Sequence, residues 1–254
     1  MTCLTNKQIK DMEKQAVKDE YRLEYHLMPA TGWLNDPNGL CQFKGTYHLY
    51  YQYSPENCLG GQKYWGHYST KDFVTFKNEP VALYPDSQFE QGGVYSGSAI
   101  VKDDTIYYYY TGNVKHPGNH DYIHTGREHN TMMVTSKDGI ELTNKTCLMK
   151  NSDYPEDLTL HVRDPQVIKN GDHYNMILRA RTNDDVGCCL LYRSTDLKHF
   201  ELVNRITTKK PFGYMWECPN LVDLNGQMIL FCCPQGVETE GYKYLDETID
   251  NLNQ

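Results

Sequence analysis

Three short stretches set a carboxylate beside a turn-forming proline at the opening of a strand-like run: Asn35-Asp36-Pro37-Asn38-Gly39, Arg163-Asp164-Pro165 and Trp216-Glu217-Cys218-Pro219. Each leads at a near-constant offset into a second apolar run, so the acids read as equivalent positions of an internal repeat. Equivalent positions of a closed repeat converge in space. Carboxyl groups gathered in one pocket suit cleavage of a glycosidic bond, because one protonates the leaving oxygen while another attacks or stabilises an oxocarbenium-like centre. The bland alternative is turn chemistry alone, with each Asp side chain bonding its own backbone. Acidic copies in register at all three places favour a shared site.

The elements that must position these acids show as a repeat of hairpins. Copies run Asp36 to Tyr51, Ser96 to Tyr110, Asp164 to Leu178 and Glu217 to Phe231, their starts 60, 68 and 53 residues apart. Out of phase with them stand Ser69-Thr70-Lys71-Asp72, Thr135-Ser136-Lys137-Asp138 and Ser194-Thr195-Asp196, each a Ser/Thr-x-Asp turn leading to an outer strand. Interleaved motifs at this spacing describe a four-stranded blade, and radial repetition of blades is an all-β propeller. The innermost strands of a propeller line its axis, so Asp36, Asp164 and Glu217 are expected to face one funnel. Ahead of the repeats, Thr5 to Tyr21 reads as a helix opened by a Thr5/Gln8 capping box. The chain thus divides into a helical segment, 1–22, and a catalytic propeller domain, 23–254. The stretch Asn113 to Asn130 carries His116, His120, His124 and His129 without convincing ligand spacing, and is expected to be a solvated loop near the funnel rather than a metal site.

Composition narrows the partners. With 254 residues, 39% of them hydrophobic, the chain can bury a sizeable core. A formal charge of -8 argues against a nucleic-acid or anionic-membrane partner, which would want a basic face. Nine cysteines, an odd number with no Cys-x-x-Cys, fit neither a zinc site nor a disulfide framework. The N-terminal stretch lacks a signal peptide's apolar core and no later run reaches membrane-spanning length, so a reducing, cytoplasmic setting is expected. The 21 tyrosines read mainly as strand residues packed between sheets, a minority serving sugar faces.

With these residues in view, the chain resembles glycoside hydrolase family 32, the invertase and sucrose-6-phosphate hydrolase group. The resemblance rests on Trp33-Leu34-Asn35-Asp36-Pro37-Asn38-Gly39, Tyr51-Gln52-Tyr53-Ser54-Pro55, Trp65-Gly66-His67, Tyr95-Ser96-Gly97-Ser98-Ala99, Arg163-Asp164-Pro165 and Trp216-Glu217-Cys218-Pro219. It implies a retaining β-fructofuranosidase acting on sucrose or sucrose 6-phosphate. Asp36 would be the nucleophile, Glu217 the general acid/base and Asp164 the transition-state stabiliser, with Asp36 and Glu217 about 5 to 5.5 Å apart. Asn35, Gln52 and Ser96 would hydrogen-bond sugar hydroxyls. Trp33, Leu34, Trp65 and Tyr95 would form walls, and Arg163 would hold Asp164 ionised. Cys218 reads as a neighbour of Glu217, not a nucleophile. The partner implied is a small-molecule sugar, with no cofactor or metal.

Tyr95 stands where the family often has Phe, as does Val162 before Arg163. The resemblance implies a five-bladed β-propeller followed by a C-terminal β-sandwich; at this length about four blades are expected, with domain 23–254 incomplete at its C-terminus and the sandwich expected to be absent. Fructosyl transfer, a non-catalytic carbohydrate-binding propeller and an inactive fragment are the alternatives, with a metal-dependent hydrolase a weaker one.

Overall fold

The computed structural model describes residues 3–237. Helix α1, Asn6–Ala16, begins at N-cap Thr5, whose hydroxyl accepts from the Gln8 amide while the Gln8 side chain accepts from the Thr5 amide. The capping box is as expected, but the helix ends five residues before Tyr21. Asp19, Glu20 and Tyr21 offer no apolar stripe to continue it, and Ile9 is its one buried residue.

Among the described residues, fourteen antiparallel strands follow. The first sheet runs β1 (Trp33–Phe43), β2 (Thr46–Ser54), β3 (Tyr64–Thr70) and β4 (Phe76–Asn78), and the second β5 (Gly93–Lys102), β6 (Thr105–Lys115), β7 (Arg127–Ser136) and β8 (Thr146–Met149). The third comprises β9 (Leu158–Asn170), β10 (His173–Thr182), β11 (Gly187–Ser194) and β12 (Glu201–Ile206). The fourth, β13 (Met215–Leu224) with β14 (Gln227–Gln235), is a hairpin. Each complete sheet is an up-and-down meander, the blade of a propeller. The four sequence repeats therefore become three whole blades and an inner hairpin among the described residues.

The core lies between blades. Tyr50, Trp65, Ile106, Tyr108 and Met132 fill the space between the first and second, and Tyr109, Val167, Met176, Leu178 and Leu197 that between the second and third. Ile177, Cys189, Trp216 and Leu221 join the third sheet to the β13–β14 hairpin, whose Val222, Leu224, Met228 and Phe231 are exposed. Helix α1 lays Ile9 against Tyr51, Tyr53, Tyr64 and Tyr68 on the other face of the first blade. Most tyrosines of strands β2, β3 and β6 are thus packed between layers, as their β propensity suggested.

The Ser/Thr-x-Asp turns close the third strand of every complete blade. Thr70, Ser136 and Ser194 accept two following amides each, and Asp72, Asp138 and Asp196 accept the next two, which turns Phe73, Gly139 and Leu197 into the left-handed region. Two of these turns also receive a neighbour. Tyr50 in β2 donates its hydroxyl to the Gly139 carbonyl at 2.6 Å, and Tyr109, at the matching place in β6, donates to that of Leu197 at 2.7 Å. The hydroxyl of one blade is thereby tied to the outer turn of the next.

Candidate active site

Every inner strand carries a bulge near its funnel end. Asn35-Asp36 oppose Gln52 between the pairs Leu34↔Tyr53 and Pro37↔Tyr51, and Tyr95-Ser96 oppose Thr111 between Val94↔Gly112 and Gly97↔Tyr110. Asp164-Pro165 likewise oppose Leu178, and Cys218-Pro219 oppose Cys232. A bulge re-aims the side chains it carries. Counting back from the hairpin pairs Lys102↔Thr105, Asn170↔His173 and Leu224↔Gln227, the matching residues are Ser96, Asp164 and Cys218. Asp36 joins them once the second irregularity of β1, between Asn38 and Cys41, is allowed for. Glu217 therefore stands one residue outside the set, which corrects the expectation that the three acids occupy equivalent positions. Asp164 and Cys218 share a left-handed backbone, φ 58° and 47°.

Contacts between neighbouring inner strands repeat. Ser96 Oγ donates to Asp36 Oδ2 at 2.6 Å, and the Cys218 amide donates to Asp164 Oδ2 at 3.3 Å. Two residues further along each strand, Asn38 accepts from the Gly97 amide, Ser98 from Val167 and Gln166 from Leu221, at 3.1, 3.1 and 2.6 Å. These bonds fix the stagger of adjacent blades and with it the approach of the acids.

The three carboxylates share one electrostatic neighbourhood. Asp164 is 7% exposed; burial pushes its carboxyl up to about 7, Arg163 opposes this, and Glu217 and Asp36 reinforce it. The Cys218 thiol is pushed far up by burial and then by Asp164, Asp36 and Glu217, which makes it a poor nucleophile. A guanidinium that sequence reasoning missed binds two of the acids together. Arg179 of β10 is 4% exposed; its Nε lies 2.8 Å from Asp164 Oδ2 and its Nη1 meets Glu217 Oε1. Arg163 Nη2 reaches the same Oε1 at 3.1 Å, and its Nη1 contacts His161. Arg163 thus addresses Glu217, and it is Arg179 that sits directly on Asp164. Arg163 and Arg179 are register partners on β9 and β10, so the two guanidiniums lie on one face of the sheet and both reach Glu217.

The remaining candidates separate. The Trp33 indole donates to Asn35 Oδ1 at 2.9 Å, and Asn35 Nδ2 donates to Gln52 Oε1 at 2.6 Å, a chain leading into the bulge that holds Asp36. Trp33, Asn35 and Tyr95 are half-buried, with Lys63 Nζ 5.6 Å from the Trp33 ring. Trp65, expected as a wall, is 1% exposed and packs among Tyr50, Tyr110 and Leu83; its indole donates to the Tyr95 carbonyl at 3.0 Å and so supports Tyr95 from beneath. Leu34 turns the other way, into the cluster of Tyr51, Tyr53 and Tyr64. Of the four histidines in 113–130, His116, His120 and His124 sit in a loop, whereas His129 is drawn into β7 and fully buried; burial holds it well below the usual histidine range and neutral. Among the described residues, no three His, Cys, Asp or Glu side chains are grouped to hold a metal ion, and no helix is long and apolar enough to cross a membrane.

Carboxylates gathered from the inner strands of a propeller suit glycosidic cleavage, and comparison with known proteins gives the family. A family model described as the glycosyl hydrolases family 32 N-terminal domain matches residues 26–253, and the chain belongs to that family. It is 38% identical to the sucrose-6-phosphate hydrolase of Bacillus subtilis over 243 residues, covering 93% of this chain and 49% of the relative, and 40% identical to that of Staphylococcus xylosus, covering 93% and 47%. The structure of a sucrose-6-phosphate hydrolase from Lactobacillus gasseri superposes with TM-score 0.79 at 31% identity, over 93% of this chain and 50% of that one. A Bombyx mori β-fructofuranosidase superposes with TM-score 0.77 at 32% identity, over 94% and 51%. The chain spans about half the length of these relatives.

Proposed function

We propose that this site hydrolyses β-fructofuranosides, sucrose or sucrose 6-phosphate, with retention of configuration. The observation that carries the reading is the contact set at the inner strands: Arg179 joins Asp164 to Glu217, and Ser96, which lines one cavity with Asp164 and Cys218, donates to Asp36. Asp36 attacks the anomeric carbon of the fructosyl unit as the bond to the glucosyl oxygen breaks, and Glu217 gives that oxygen its proton. Water then attacks the fructosyl ester, Glu217 takes a proton from it, and Asp36 is released. The Ser96 hydroxyl fixes one Asp36 oxygen and directs the other toward the sugar. Arg163 and Arg179 both converge on Oε1 of Glu217, which leaves Oε2 to carry the proton. Asp164, buried beside them, stabilises the positive charge that develops on the fructosyl ring.

Sucrose 6-phosphate is favoured by the names of the relatives at 36% to 40% identity. A cytoplasmic setting goes with that substrate, since phosphorylated sugars do not cross membranes unaided. Transfer to a second sugar shares the same intermediate and is read from the products at high sucrose. The test is Asp36→Ala, with the anomer of newly released fructose followed by NMR. Loss of cleavage in the variant and β-fructofuranose as first product of the parent chain support the proposal. Cleavage that survives Asp36→Ala, or an inverted first product, refutes it.

A further inference from the structure

Arg163 and Arg179 stand directly opposite each other on β9 and β10, and both reach Oε1 of Glu217. Like charges so placed repel, so each guanidinium needs a second partner to stay on the carboxylate. Arg179 has one in Asp164, 2.8 Å from its Nε. Arg163 has its Nε buried without a hydrogen-bond partner, and among the described residues the one other partner of its guanidinium is His161, met by Nη1 at Nδ1.

The tautomer of His161 is set from the far side of its ring. Nε2 lies 3.0 Å from the Tyr122 carbonyl oxygen. A carbonyl only accepts, so Nε2 carries the hydrogen, and the neutral ring then presents Nδ1 as a lone pair. A guanidinium only donates, so that lone pair takes a hydrogen from Arg163 Nη1. Burial and the Arg163 charge push the imidazole down to about 3, which keeps it neutral near pH 7. The Tyr122 carbonyl is itself fixed. It belongs to the segment joining β6 to β7, where Asp121 accepts the amides of Ile123, His124 and Thr125 and the Leu160 amide of β9 donates to the Ile123 carbonyl at 2.9 Å. The fully buried His129 packs its ring at 72° to that of His161, centroids 5.5 Å apart.

We propose that His161 is a positioning residue for proton transfer: it anchors Arg163, so that Arg163 and Arg179 together hold Oε1 of Glu217 and leave Oε2 to deliver its proton to the glycosidic oxygen. The assignment rests on the fructosidase reading of the carboxylates. His161 itself gains and loses no proton; it carries a hydrogen-bonded chain from the Tyr122 carbonyl through Arg163 to Glu217. A connecting segment of the second blade thereby sets the geometry of an acid borne by β13.

Two variants separate the bonds of the ring. Asn places an oxygen near the Nδ1 position and keeps an acceptor for Arg163, whereas Gln places its amide nitrogen near the Nε2 position and leaves nothing facing Arg163. Two substrates separate acid catalysis from general damage: sucrose needs its leaving oxygen protonated, and p-nitrophenyl β-fructofuranoside releases a phenolate that does not. In His161→Gln, kcat/KM for sucrose should fall about tenfold or more while that for the aryl fructoside changes by less than about threefold, and His161→Asn should recover most of the loss. Equal losses on both substrates, or His161→Asn as impaired as His161→Gln, overturn the positioning role. A second measurement needs no turnover. Nitrogen-15 NMR of the histidine-labelled chain, with the His161 signals assigned by their loss in His161→Asn, should show the Nε2–H tautomer near pH 7; an Nδ1–H tautomer or an imidazolium overturns the chain of bonds. The expected tautomer in a folded chain that cleaves neither substrate removes the fructosidase reading, and the role with it, while the chain of bonds stands; sucrose cleavage insensitive to His161→Gln removes the role alone.

Discussion

Replacing Arg179 with Leu should destabilise the fold in a manner that depends on pH. The guanidinium is 4% exposed and lies against Asp164, itself 7% exposed, and Glu217. Removing one partner of a buried ion pair costs about 3 to 5 kcal/mol, because the other charge is left uncompensated. The Asp164 carboxyl, raised to about 7 chiefly by burial, supplies the pH dependence. A carboxyl raised in the folded state holds a proton that the unfolded chain has lost, so its stabilising effect is present at low pH and disappears as pH climbs through about 7. Without Arg179 the folded-state carboxyl keeps its proton to still higher pH. The Asp164 share of the penalty is therefore nil below 7 and grows by about 1.4 kcal/mol per unit above it, an extra ~2 kcal/mol between pH 7 and 8.5. Glu217 retains Arg163 as a partner. Urea denaturation of both proteins at pH 6 and pH 8.5 measures the difference. A penalty equal at the two pH values, or larger at pH 6, would refute the coupling of Arg179 to Asp164.

Tyr109→Phe should cost about 1 to 3 kcal/mol by leaving the buried Leu197 carbonyl unpaired, read from the shift in denaturation midpoint; no shift would mean that the tie between second and third blades is not energetic. A Cβ at Gly97 would lie 2.0 Å from the Tyr109 carbonyl oxygen, so Gly97→Ala should prevent β5 from pairing with β6 and yield insoluble protein, whereas Gly45→Ala, with no atom within 4 Å, should cost only about 1 kcal/mol through its positive φ. Lys145 is the cation of the fully buried Glu90, so Lys145→Met should cost about 3 kcal/mol or more at neutral pH, measured by thermal unfolding. Iodoacetamide at pH 8 should label exposed Cys58 and spare Cys218, whose thiol is held protonated; peptide mass spectrometry gives the answer, and rapid modification of Cys218 would contradict its assigned surroundings.

Much of the architecture was legible because turn chemistry is local. The Ser/Thr-x-Asp motifs build their own hydrogen-bonded loop, so Thr70, Ser136 and Ser194 announce the end of a third strand wherever they occur. The prolines after Asp36 and Asp164, and after Cys218, mark bulges for a similar reason, since a residue without an amide hydrogen cannot keep the ladder regular. The one-residue offset of Glu217 was hidden, because bulges change the count along a strand and only pairing across the hairpin reveals how many there are. Trp65 and Trp33 looked alike in sequence, yet one is a core plug and the other half-exposed; period-two alternation near a bulge does not fix which face a side chain takes. Arg179 was missed for want of a motif. Its signal was a charge inside the apolar run Met176-Ile177-Leu178-Arg179-Ala180, since a cation in a strand buried on both faces requires a carboxylate.

The most direct test of the central claim is release of glucose, or glucose 6-phosphate, and fructose from sucrose and sucrose 6-phosphate by the purified chain, beside Glu217→Gln. If Asp36, Asp164 and Glu217 form a working fructosidase site, the chain turns over at least one of these substrates and Glu217→Gln, which keeps the side chain's shape but cannot cycle a proton, loses nearly all of the rate. Turnover unchanged in Glu217→Gln, or a folded chain that cleaves neither sugar, would contradict it.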